Sequence, residues 1–265
     1  MKITVLGTGE VCRLLAPAFL SLGHEVVVGT RDPETTMARN HAYRVLATRH
    51  PQLRPASFPA AVDAAERSGL VVNALSGPAC PDALAPLAEG LTGHVVMDVS
   101  SPYDWSRPDA VLDPVNTDSL GEAIQRALPG SYVVKTLNTL AAQVMPEPDA
   151  VGPDHTVFLS GDDETAKARV GDLLRALGWR DVLDPGGHRH RPRHRDDAAH
   201  VDRRLASTGH PPLRIQDRPL RRPSRTPVPG SPGHPAPAGA RCPGPGGPGG
   251  SAEEAASRPR GRART

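Results

Sequence analysis

The 265-residue chain carries 31 Lys plus Arg against 29 Asp plus Glu, a near-neutral sum that hides two unlike parts. Up to Pro185, 15 basic residues face 23 acidic ones; from Gly186 onward, 16 arginines face 6 acidic residues. That second part has no Lys, Phe, Trp, Tyr, Met or Asn and holds 14 of the 30 prolines, which excludes a packed core there because too little apolar surface offsets the ordering entropy.

Lys2–Leu6 is a short β-rich apolar run of the kind that forms a buried parallel strand. It breaks at Gly7-Thr8-Gly9, where the glycines permit a tight turn and a close backbone approach to a ligand. From Glu10 the period becomes 3.6, with Val11, Leu14, Leu15, Ala18 and Leu22 predicted on the buried face and Gly23 as the stop. Pro17 falls inside this helix and removes the hydrogen bond to the Arg13 carbonyl, so a kink is expected. Val26–Val28 then forms a second strand that ends at Gly29-Thr30-Arg31. Strand, glycine turn, helix and parallel strand make the phosphate-binding half of a dinucleotide fold, with the pyrophosphate on the free N–H groups of the first helical turn. The third glycine of the usual motif is replaced by Cys12, read as a small side chain at the helix–strand contact rather than a reactive thiol.

The nucleotide is chosen at the end of the second strand. An NAD site would carry Asp or Glu there for the ribose 2′-hydroxyl. Thr30 and Arg31 instead offer a hydroxyl and a guanidinium suited to a 2′-phosphate, which favours NADP(H). Asp32-Pro33 reads as an N-cap and first turn of the next helix, predicted over Asp32–His50 and ended by Pro51.

An edge element near Ala56–Phe58 and a helix over Pro59–Arg67 follow. Leu70–Val72 is the next buried strand, ending in the turn Asn73-Ala74-Leu75-Ser76-Gly77. A helix over Pro81–Glu89 leads to a strand at His94–Met97 and a second strand end, Asp98–Pro102. Asn116–Ser119 caps a helix through Leu128, and Tyr132–Val134 is a strand ending at Lys135–Thr139. His155–Ser160 reads as strand and Asp162–Leu177 as helix, with Ala166, Val170, Leu173, Leu174 and Leu177 on one face; Gly178 closes it, and Trp179–Leu183 starts a last strand. This alternation predicts an α/β, doubly wound, mostly parallel sheet of the Rossmann type over residues 1–185, followed by a disordered Arg/Pro/Gly-rich tail over 186–265.

Cys12, Cys80 and Cys242 show no metal-ligand spacing and fit a reducing compartment. No secretory signal precedes the first strand and no run reaches membrane-spanning length, so a cytoplasmic protein without a membrane partner is expected. The basic tail lacks the aromatic side chains that stack bases, which argues against nucleic-acid binding. His188, His190 and His194 lie in an Arg-rich stretch without cysteines, so no metal site is assigned. Trp105 and Trp179 are read as packing residues.

Gly7–Val11, Gly23–Arg31, Val133–Thr139 and Ser160–Asp163 resemble the NADPH-dependent deazaflavin (coenzyme F-420) reductase family, over about Met1 to Pro185. The resemblance implies hydride transfer between NADPH and an 8-hydroxy-5-deazaflavin, with coenzyme F-420 as co-substrate. It implies that Gly7, Thr8, Gly9 and Val11 line the pyrophosphate, that Thr30 and Arg31 take the 2′-phosphate, and that Asn73, Ala74 and Leu75 border the nicotinamide. Asn138 and Thr139 would lie near the deazaflavin ring. No catalytic residue is assigned to Asp98, Asp104 or Lys135, since hydride transfer needs orientation and exclusion of water rather than an acid.

Beyond Pro185 the chain departs from the family, which continues with a segment like Gly-Asp-Ile-x-Thr-Ala-Arg-Gly-x-Glu-Met. Read one base later in GC-rich codons, Gly187–Asp197 can encode Asp-Ile-Ala-Thr-Ala-Arg-Gly-Thr-Glu-Met. One extra base near the Gly186 codon would therefore account for the tail as an out-of-frame product. The altered segment contributes to core, acceptor pocket and dimer contact in the family, which leaves a homodimer open rather than expected. The alternative to an enzyme is an NADP-binding module, or inactive truncated reductase, without turnover.

Overall fold

A computed structural model describes residues 1–104, 111–112, 118–152 and 155–186. Strand β1 (Lys2–Leu6) passes through the glycine turn into α1 (Glu10–Ser21) and back to β2 (Glu25–Thr30). Helices α2 (Pro33–Arg39) and α3 (His41–Arg49) lead to the edge strand β3 (Ala56–Ser57), α4 (Phe58–Asp63) and β4 (Leu70–Asn73). Then come α5 (Cys80–Leu84), β5 (Val95–Asp98), the antiparallel ribbon β6 (Tyr103–Asp104) and β7 (Val111–Leu112), and α6 (Leu120–Ala127). The chain ends its described part with β8 (Tyr132–Thr136), β9 (Thr156–Gly161), α7 (Glu164–Ala176) and β10 (Asp181–Leu183).

The main sheet runs β10-β9-β8-β5-β4-β1-β2-β3. Winding outward from β1 in both directions gives the doubly wound, Rossmann-type arrangement expected, with the order reversing between β1 and β4. All pairings are parallel except β8 with β9. Among the described residues between them, turns and the short 3-10 stretch Pro148–Val151 stand in place of an α-helical crossover, and β9 runs antiparallel to β8.

Strand residues alternate between two cores. Ile3, Val5, Val72, Met97 and Val134 pack with Leu15 and Phe19 of α1, Tyr43 of α3 and Val170 and Leu174 of α7. Leu6, Val71, Val96 and Val133 face the other side, against Val62 of α4, Leu84 of α5 and Leu120 and Ile124 of α6. Both sheet faces are thus covered, which explains why the strands read as continuous apolar runs.

Several predicted elements are revised. The buried face of α1 is Cys12, Leu15, Ala16 and Phe19, with Val11 and Ala18 at its margin. Cys12 and Ala16 are small enough to let helix and strand approach, an advantage that a count of large apolar residues misses. Leu22 lies past the helix end and is 38% exposed. There Gly23, at φ +79°, donates to the Leu20 carbonyl and His24 to that of Phe19, as a glycine C-cap should. α1 runs without interruption through Pro17, whose carbonyl accepts the Ser21 hydroxyl at 3.0 Å. The single helix expected over Asp32–His50 breaks at Asn40, and the Pro59–Arg67 and Pro81–Glu89 helices are shorter. α7 matches its expected face, Ala166, Val170, Leu173, Leu174 and Leu177 all being buried, and Gly178 closes it at φ +103°. Trp179 is buried, donates Nε1–H to the Met145 carbonyl at 3.1 Å and meets His155 edge-on, as a packing residue should. Trp105, Asn116, Thr117, the 187–265 tail and its histidines lie outside the described residues.

Candidate functional site

The strand register lines up one row across the sheet: Gly29 of β2, Leu6 of β1, Asn73 of β4, Asp98 of β5 and Lys135 of β8. Every loop just beyond that row leaves the same edge of the sheet. It is the edge where open α/β sheets take their ligands.

Gly7 adopts φ +115°, a conformation L side chains rarely adopt, and a Cβ there would stand 2.7 Å from the Ala74 carbonyl oxygen. Its N–H donates to the Gly29 carbonyl at 2.8 Å, tying the turn to β2. Gly9 is the N-cap of α1 and offers no side-chain cap. The first backbone bond of the helix runs from Arg13 N–H to the Gly9 carbonyl, so the preceding N–H groups have no intrahelical acceptor. A Cβ on Gly9 would meet nothing within 4 Å. Open space over an uncapped helix start fits a diphosphate, which needs N–H donors, a positive dipole end and close approach to backbone.

Thr8 and Val11 are half-buried beside that opening. The Thr8 carbonyl accepts the Asn40 side-chain N–H at 3.1 Å, while Asn40 Oδ1 caps α3 by accepting Tyr43 N–H at 3.0 Å. The break between α2 and α3 therefore has a purpose at the glycine turn. Tyr43 is itself buried and donates its hydroxyl to the Leu53 carbonyl at 2.6 Å. Across the opening, Gln143 Nε2–H donates to Glu10 Oε1 at 2.6 Å. Cys12 is fully buried, and burial pushes its thiol up to about 12, so it serves packing and not chemistry.

At the end of β2, Thr30 is buried with its hydroxyl 2.8 Å from that of Thr36, and Arg31 is exposed with no ion pair among the described residues. Asp32 caps α2 by accepting Thr35 N–H at 3.0 Å and the Thr35 hydroxyl at 2.6 Å. These Thr35 donors hold the Asp32 carboxyl below its ordinary range. Its charge is committed to the helix and leaves Arg31 as the ionic group at the strand end.

The centre of the row is a buried polar cluster. Lys135 and Asp98 pair at 2.8 Å with side chains 5% and 0% exposed. Asp98 Oδ1 accepts from Asn73 Nδ2 at 2.9 Å, Ser100 N at 3.0 Å and Ser100 Oγ at 2.7 Å. Lys135 also donates to the carbonyl and hydroxyl oxygens of Ser100. Cys80 is buried against Asn73 and Ser100, and burial with the nearby Asp98 charge pushes its thiol up to about 11. Asn73 has no exposed surface; its Oδ1 takes Leu75 N–H at 3.2 Å and its carbonyl takes Val99 N–H at 3.2 Å. It shapes the turn from beneath, while Ala74 and Leu75 are half-buried at the surface. After β8, Leu137 sits at φ +59°, Asn138 is half-buried with its carbonyl accepting the Ser101 hydroxyl at 3.0 Å, and Thr139 is exposed.

The structure thus brings the Gly7–Val11, Thr30–Arg31, Asn73–Leu75 and Asn138–Thr139 groups to one edge. Sequence reasoning named Ser100 and Ser101 only as part of the Asp98–Pro102 strand end, without a role, and missed Asn40 and Gln143. The pairing of Asp98 with Lys135 had a visible signal, since each is the lone charge ending an apolar strand.

A family model described as NADP oxidoreductase, coenzyme F420-dependent, matches residues 2–102. A crystal structure assigned as an F420-dependent NADP-reductase from Arthrobacter sp. FB24 is 44% identical, covers 79% of this chain and 96% of its own, and superposes with a TM-score of 0.68. The metalloreductase STEAP3 of Rattus norvegicus is 28% identical over 178 residues, 67% of this chain, which spans 32% of that protein's length. A Sinorhizobium meliloti protein, SMa0349, shares the fold at 21% identity and a TM-score of 0.57, over 71% of this chain and 85% of its own. Among the described residues, no helix is long and apolar enough to cross a membrane.

Proposed function

The chain belongs to the coenzyme F420-dependent NADP oxidoreductases, and from that premise we propose that it transfers hydride between NADPH and a deazaflavin of the F-420 type. The observation that carries the reading is the uncapped start of α1 beneath open space at Gly9, together with the guanidinium of Arg31 at the end of the neighbouring strand, exposed and without an ion pair among the described residues. A diphosphate and a 2′-phosphate are the anions those two features suit.

In this reading Gly7, Thr8, Gly9 and Val11 hold the pyrophosphate, with Asn40 fastening the Thr8 carbonyl from behind. Thr30 and Arg31 take the 2′-phosphate. Ala74 and Leu75 border the nicotinamide, and Asn73 acts through the shape of their turn. Asn138 and Thr139 border the acceptor. The bound nicotinamide supplies the hydride; the chain supplies orientation, charge complementarity and a water-poor crevice, so no side chain needs to act as acid or base. Residues 1–185 form the working domain, and the Arg-rich remainder is an out-of-frame product, a point that the genomic sequence around the Gly186 codon decides.

The experiment is a pair of measurements on the full chain. NADPH should raise the thermal unfolding temperature by mass action, and adding 8-hydroxy-5-deazaflavin should consume nicotinamide absorbance. Protection without turnover would refute the deazaflavin assignment and leave a binding module. Absence of protection would refute the cofactor site.

A further inference from the structure

We propose that Asp98, held by Lys135, is a positioning residue that sets the spacing between hydride donor and hydride acceptor. The inference rests on the functional reading above, because it concerns the two walls of that crevice.

The pair calls for an explanation other than stability. Taking both charges out of water is costly, and an apolar pair of similar volume is commonly as stable or more so. The same two strands use that solution in the rows immediately before, where Val96 faces Val133 and Met97 faces Val134. Only at the last row before the crevice does an ion pair replace it, with both side chains removed from solvent.

From this one carboxylate two arms reach the loops above. In the first, Asn73 Nδ2 donates to Asp98 Oδ1 at 2.9 Å, and Asn73 Oδ1 holds Leu75 N–H at 3.2 Å, in the turn assigned to the nicotinamide. In the second, Asp98 Oδ1 takes the Ser100 N–H and hydroxyl, and Lys135 grips the Ser100 carbonyl. The next residue, Ser101, donates its hydroxyl to the Asn138 carbonyl at 3.0 Å, in the turn assigned to the acceptor. That turn is bent by the left-handed Leu137, a conformation that persists only where surrounding contacts hold it. Asp98 is therefore linked to both walls, through Asn73 on one side and through Ser100 and its neighbour Ser101 on the other. Their separation follows from bonds of fixed length rather than from loop packing.

The test separates the arms. Asn73→Ala cuts the first and Ser101→Ala the second, each without leaving a lone buried charge. In steady-state assays with NADPH and 8-hydroxy-5-deazaflavin, N73A should raise the KM for NADPH and S101A that for the deazaflavin, each several-fold, with the other KM within about twofold. The double variant Asp98→Asn/Lys135→Met removes both charges together. It should keep its thermal protection by NADPH while kcat falls about tenfold or more, since small misplacements of reacting groups are expensive. A primary deuterium isotope effect from 4-deuterated NADPH should grow as the transfer step becomes limiting. If the double variant does not fold, the two single variants still decide. Equal changes in both KM values in N73A and S101A, or none in either, would overturn the positioning role while wild-type turnover keeps the functional reading intact. A wild-type protein that binds NADPH and never reduces the deazaflavin overturns both.

Discussion

Gly7 and Gly9 are separated only by Thr8, yet a methyl group at each should have opposite consequences. At Gly7 the backbone is held at φ +115° and a Cβ would meet the Ala74 carbonyl oxygen at 2.7 Å. Strain in a glycine-only region costs about 1–3 kcal/mol and forced overpacking about 1–3 kcal/mol more. Gly7→Ala should therefore destabilise by about 2–6 kcal/mol, lowering the unfolding temperature by about 4–24 °C in a domain of this size. At Gly9, φ is −75° and ψ −168°, open to any residue, and a Cβ meets nothing. The reduced freedom of the unfolded chain gains about 0.4–1 kcal/mol and the poorer N-cap loses a similar amount, so stability should change by less than about 1 kcal/mol. The same methyl would stand in the diphosphate cradle. Loss of one charge-assisted hydrogen bond, about 1.5–3 kcal/mol, weakens NADPH about 10- to 150-fold. In thermal unfolding with NADPH at a hundred times the wild-type Kd, the wild type should gain about 2.7 kcal/mol and a hundred-fold weakened G9A about 0.4 kcal/mol. Wild-type NADPH affinity in G9A, or unfolding of G9A as early as G7A, would refute the reasoning.

Other substitutions probe separate parts of the site and core. Arg31→Ala should weaken NADPH about 10- to 30-fold, the lower range for a charge-assisted bond at an exposed side chain, and leave NADH within about twofold; isothermal titration of both nucleotides checks it. Asn40→Ala removes the α3 cap and the tether to Thr8, and should cost about 1–2 kcal/mol of stability by denaturant unfolding while also weakening NADPH. Thr4 is 1% exposed with Oγ1 lacking a partner among the described residues, so Thr4→Val should stabilise by about 1 kcal/mol in the same assay. Burial raises the Cys12 thiol from 9.0 to about 12, so in the folded protein at pH 8 peptide mapping after iodoacetamide should find Cys12 unlabelled until denaturant is added. Because the folded value is the higher one, this group's contribution to stability is whole below pH 9 and should decline as pH rises from about 9 towards 12.

Much of this protein could be read from residue order alone. Glycines after an apolar run, a 3.6-residue period and a strand closing on Thr30-Arg31 are local features, and each rests on backbone permissiveness or side-chain chemistry that needs no distant neighbour. So the strands of the first half, the glycine turn, the Asp32 cap and the preference for a phosphorylated ribose were legible. The face of α1 was not, because small Cys12 and Ala16 become the contact residues only when a strand lies against them. Nor was the helix break at Asn40, whose amide gains a partner only where the glycine turn passes overhead.

What tertiary structure alone decided is the company each strand-end residue keeps. Asn73, Asp98 and Lys135 are 25 and 37 residues apart in sequence, and parallel pairing stacks them into one row. A charge ending an apolar strand can be solvated or paired; only the register, set by burying valines on both faces, made these two a buried pair. Residue order determined which groups arrive at the crevice. Long-range packing determined which of them touch, because hydrogen bonds act over about 3 Å and the chain cannot specify that distance between remote positions until the sheet is built.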